Sequence, residues 1–97
     1  MIREIQEKLK TSLKPVARLY HKSGDVKQIF IGFNRGMTLD QHKTHLPARL
    51  LVLSGDVTYI QAGTQTRLKQ YDFIDIPINI IHEVYANTDS LCMLTQG

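Results

Sequence analysis

Two short segments hold most of the residues able to do chemistry, His42-Lys-Thr-His45 and His82-Glu83. Imidazole titrates near neutral pH, so it can serve as acid, base or metal ligand. In a regular strand, side chains alternate between the two faces. His45 would then point away from His42, and Glu83 away from His82, unless the chain before Pro47 is irregular. Tyr59 can add a phenol to either set. The single cysteine, Cys92, lies in Leu91-Cys-Met-Leu94 and reads as a buried strand residue. A nucleophilic thiolate needs exposure and a nearby base. Ser12, Ser23, Ser54 and Ser90 fall in turns or at a helix end, outside any nucleophile-elbow pattern. No glycine-rich phosphate loop occurs.

These side chains need a scaffold. Ile2, Ile5, Leu9 and Leu13 recur at spacings of three and four, with charged residues between them. That period predicts one amphipathic helix of about three turns over residues 2–13, ended by Pro15. Its apolar stripe must pack on something, because so short a helix is marginal alone. After Pro15 the pattern turns to β. Strands are expected at Val16–His21, Val26–Phe33, Arg49–Leu53, Val57–Ala62, Thr66–Lys69, Phe73–Ile76, Ile81–Tyr85 and Leu91–Leu94. Turn residues separate them at Lys22–Asp25, Asn34–Gly36, Ser54–Asp56 and Ala86–Ser90. Short strands at this spacing predict an all-β sandwich or barrel. Leu50-Leu-Val-Leu53 is apolar throughout, so both faces of that strand should be covered. One face would line the interior. The other would meet the helix, another sheet or a second subunit, and a homodimer is the expectation.

Ninety-seven residues suit one domain, divided here into the helix at 1–14 and a barrel at 15–97. No apolar run approaches a membrane span, and the start lacks the apolar core of a secretory signal. With one cysteine no internal disulfide can form, so a cytoplasmic location is the default. Net charge is +3, but the lysines and arginines stand singly and without interleaved aromatics. A solvated basic surface is therefore expected in place of a nucleic-acid or membrane site.

Two segments resemble the paired motifs of the cupin superfamily. The first motif runs Gly, five residues, His-x-His, three or four residues, Glu, six residues, Gly. Here Gly36 precedes His42 by the right interval, Thr44 replaces the second histidine, Ala48 replaces the glutamate, and Gly55 closes the motif. The second runs Gly, five residues, Pro-x-Gly, two residues, His, three residues, Asn. Here Tyr71 replaces the first glycine, Pro77 is in place, Asn79 replaces the second glycine, His82 is in place, and Asn87 lies one position late. The motifs together span over half the chain. His42-Lys-Thr-His-Leu-Pro-Ala48 also resembles small single-domain cupins that keep the first histidine and lack the full metal set.

The resemblance implies a cupin-type double-stranded β-helix, or jelly-roll, barrel with a short N-terminal helix. It implies a site in the barrel mouth formed by His42, Thr44, Tyr59 and His82. The family site usually binds Fe, Mn, Ni or Zn through three histidines and one glutamate. Only His42 and His82 survive of those four, with His45 a third candidate ligand if its segment is irregular. Two imidazoles are fewer than the three protein ligands of ordinary catalytic sites. The expected role is therefore binding of a small molecule, a weakly held divalent metal, or both. The alternatives are a metal-dependent dioxygenase or isomerase acting on a small polar metabolite, and an inert dimeric module.

Overall fold

The computed structural model describes residues 1–97. One helix, α1 (Ile2–Leu9), precedes nine strands: β1 (Val16–Ser23), β2 (Val26–Phe33), β3 (Thr38–His42), β4 (Ala48–Ser54), β5 (Asp56–Gln61), β6 (Thr64–Lys69), β7 (Phe73–Ile76), β8 (His82–Ala86) and β9 (Ser90–Gln96). Two antiparallel sheets face each other, in the orders β1-β2-β9-β4-β7 and β3-β8-β5-β6. Strands distant in sequence interleave in both, which is the jelly-roll arrangement. No helix is long and apolar enough to cross a membrane.

The core lies between the sheets. Alternate residues of each strand point into it, as the two-residue period requires. Leu50 and Val52 of β4, Val57 and Tyr59 of β5, Val84 and Ala86 of β8, and Cys92 of β9 are all buried there. Cys92 is sealed, and burial pushes its thiol up to about 12, so it is inert at neutral pH.

Four expectations need correction. The helix ends at Leu9, not Leu13, and Leu13 is 98% exposed. Ser12 explains the early stop. Its hydroxyl both accepts from the Lys14 N–H and donates to the Lys14 carbonyl, a local turn that competes with helix. Asn34 then donates to the Leu9 carbonyl at 2.8 Å, filling an acceptor that the helix end leaves open. Second, β3 is a strand the polar sequence Thr-Leu-Asp-Gln-His did not announce. Third, β1, β4, β6 and β9 run one or two residues beyond the expected limits and β5 and β8 are offset by one, while β2 and β7 match.

The fourth correction concerns β4. Its inner residues are sealed, but Leu51 and Leu53 on the outer face are only half-buried. α1 covers part of that face. Ile5 and Leu9 form a second cluster with Val16 and Phe30, against which Leu53, Leu91 and Met93 pack. The helix comes so close at Gly32 that a β-carbon there would collide with the Ile5 side chain.

Candidate functional site

His42 reaches the interior through an irregularity. In β3, Leu39 packs on the core and pairs with Val84, and the next matched pair is His42 with His82. β3 thus spends one residue more than β8 over that interval. This bulge shifts the alternation, so that His42 faces inward like Leu39, with Gln41 and Lys43 outward. A regular strand would have sent His42 to the solvent face.

The two imidazoles meet there. Their ring centroids are 4.1 Å apart, at an interplanar angle of 63°. Tyr59 stacks on the other side of His82, with centroids 5.7 Å apart and an angle of 25°. Both histidines are fixed alike. His42 Nδ1 lies 2.8 Å from the Asp40 carbonyl, and His82 Nδ1 lies 3.1 Å from the Ile80 carbonyl. A carbonyl only accepts, so each Nδ1 donates its proton, and it is Nε2 that carries the lone pair in the neutral tautomer. His82 is 2% exposed, and burial lowers its pKa against the opposing effect of its hydrogen bond to the Ile80 carbonyl. His82 is therefore neutral at neutral pH. No buried side-chain nitrogen or oxygen lacks a partner, so the pair leaves no polar atom stranded.

The other expected residues divide. Tyr59 is buried, donates its hydroxyl to Gln61 Oε1 at 2.7 Å, and has its pKa raised by desolvation. It opens on a side cleft of about 210 Å³ between β6 and β7, shared with Gln61, Thr64, Thr66 and Asp75. Gln61 was missed from the sequence. It lies two residues past Tyr59 on the same strand, so the period of two could have found it. Thr44 is buried, but its hydroxyl is committed to the Leu46 carbonyl at 2.7 Å. His45 is exposed in the bend and does not join the pair. Glu83 points to the outer face, beside Ile60 and Lys43. The four residues expected to share one mouth do not line a common cavity: Tyr59 borders the side cleft and His82 a different one.

The donor set decides how well a transition metal fits. No three His, Cys, Asp or Glu side chains converge anywhere in the chain. The position of the second family histidine holds an occupied threonine hydroxyl, and that of the glutamate holds the buried methyl of Ala48. Two imidazole nitrogens remain, which does not fit a resident metal held by three or four protein ligands.

Solved cupin structures share this architecture. An RmlC-like cupin protein from Desulfovibrio desulfuricans aligns with a TM-score of 0.80 and 24% identity, over 87% of this chain and 82% of that one. KdgF from a Halomonas species aligns with a TM-score of 0.78 and 20% identity, over 89% and 82%. A salicylate 1,2-dioxygenase variant from Pseudoaminobacter salicylatoxidans gives a TM-score of 0.90 at 14% identity. It covers 98% of this chain but only 32% of its own length. No family model and no curated protein matches the sequence. The chain has the cupin fold, a jelly roll of two antiparallel sheets with one short helix, as its paired motifs led us to expect.

Proposed function

We propose that this chain is a small-molecule-binding cupin that holds its ligand through side chains in place of a resident metal. One observation carries the reading: His42 and His82 stand 4.1 Å apart with both Nδ1 protons tied to backbone carbonyls. Two fixed lone pairs at Nε2 favour a ligand that donates hydrogen bonds, such as a small hydroxylated or amidic molecule. No carboxylate orients either ring, which sets this reading above a general acid–base enzyme. We further infer that the chain works as a homodimer.

The test combines elemental analysis with ligand screening by NMR, on the intact chain and on His42→Ala and His82→Ala. Iron, manganese, nickel and zinc are expected far below one per chain. Long-range imidazole ¹⁵N spectra should show Nδ1–H tautomers, and small hydroxylated probes should shift His82 and Tyr59 in the intact chain only. Near-stoichiometric metal, lost in both variants, would replace this reading with a metal-dependent dioxygenase or isomerase. Twelve buried apolar residues pack the space between the sheets, which supports one second reading, an inert module. That reading predicts no probe binding at all.

A further inference from the structure

The cleft that His82 borders lies on the outer face of the four-stranded sheet. Gln41, Lys43, Ile60, Ile80, Ile81 and Glu83 are among the residues enclosing it, around a space of about 470 Å³. That volume lies within the ordinary range for small-ligand sites. The bulge that turns His42 inward is what places Gln41 and Lys43 on this face. On the other flank, Ile60 pairs directly with Glu83 across β5 and β8. Ile80 and Ile81, in the stretch leading into β8, are 38% and 50% exposed, so their apolar surface is available to a ligand.

Two opposite charges border the cleft. The chain forms three salt bridges, Lys10–Glu7, Arg49–Asp75 and Arg67–Asp56. Lys43 and Glu83 belong to none of them, although they border the same cleft. One free ammonium and one free carboxylate therefore flank an isoleucine surface.

We propose that this cleft binds an apolar zwitterion, the chemical class of a free amino acid with an aliphatic side chain. The Lys43 ammonium takes the ligand carboxylate, Glu83 takes its ammonium, and Ile60, Ile80 and Ile81 cover its side chain. An anion alone would leave Glu83 facing a like charge, and a cation alone would do the same to Lys43. A polar amino acid would leave the isoleucines wet. Exposed ion pairs contribute modestly, so each charge is worth a few-fold in affinity and the two together set orientation.

The experiment is an NMR titration of the full chain with L-leucine, compared with 4-methylpentanoate, 3-methylbutylamine and L-serine. Leucine should shift the amides around Lys43, Ile60, Ile81 and Glu83 saturably. Each of the other three should bind about fivefold more weakly. Lys43→Gln and Glu83→Gln change side chains on the outer face, so both variants should fold, and each should weaken leucine by a similar factor. The absence of saturable shifts at these amides would overturn the proposal. Equal binding of all four probes, or undiminished leucine binding in both variants, would overturn it too.

Discussion

Tyr71 and Asn79 stand where the cupin motifs have glycine, yet their backbones keep glycine's conformation. Gly36 and Gly55 have φ of 85° and 94°, while Tyr71 and Asn79 have φ of 71° and 59°. The side chains depart from the motif while the turns agree with it. Asn tolerates the left-handed region through its short polar side chain, but Tyr does not. A left-handed non-glycine residue costs about 1–2 kcal/mol, against about 0.5–1 kcal/mol for the extra unfolded-state freedom of glycine. Tyr71 is 72% exposed, so little packing is lost with its ring. Tyr71→Gly should therefore raise stability by about 0.5–1 kcal/mol, read as an upward shift of the urea midpoint at unchanged slope. A lower midpoint would show that the phenol ring makes a contact worth more than the strain.

Among the elements, α1 is the one helix and depends on what it docks against. It has eight residues, too few to persist alone, so its stability comes from its docking on β1 and β2. Ile5 is 1% exposed and sits over Gly32, where the absent side chain leaves room for it. Ile5→Ala would leave a cavity at that contact and should cost about 2–4 kcal/mol in chemical denaturation. The loss should fall on the large sheet and leave the His42–His82 pairing intact, because α1 packs on the other sheet from the one that holds the site. A cost below about 1 kcal/mol would mean that the helix adds little to the folded chain.

On the scale of the whole molecule, the outer face of the five-stranded sheet is only partly covered. Leu51 pairs with Phe73 on one side and Met93 on the other, so three apolar side chains stand together across three strands. Phe73 is 52% exposed, and the Arg49 guanidinium lies 4.3 Å from its ring centre. The cluster under α1 reaches Met93 at the other end of this face and does not include Leu51 or Phe73. A second copy is the cover we propose, since a like surface on the partner would meet it with matching apolar area. Sedimentation at micromolar concentration should show a dimer, and Leu51→Glu should convert it to a folded monomer. A wild-type monomer under those conditions would end the dimer reading.

Read from residue types and spacing, the all-β architecture, the N-terminal amphipathic helix and the cupin motifs were all visible. These depend on local periods and turn residues, which a sequence displays directly: alternation at Val57 and Tyr59, glycine at 36 and 55, proline at 77. The pairing of His42 with His82 was legible through the motifs alone. No rule of strand alternation would have turned both rings inward, since that depends on an extra residue in β3 that shows only when β8 lies beside it.

What the sequence determined by itself was which residues alternate and where the chain turns, because those are properties of neighbours a few positions apart. The tertiary structure alone decided which polar groups are already occupied. Asn34 donates to the Leu9 carbonyl, the Asn87 amide donates to Asp56 and Thr58, and Arg49 pairs with Asp75, all across twenty-five or more positions of chain. A hydrogen bond consumes a donor only when folding brings its acceptor within about 3 Å.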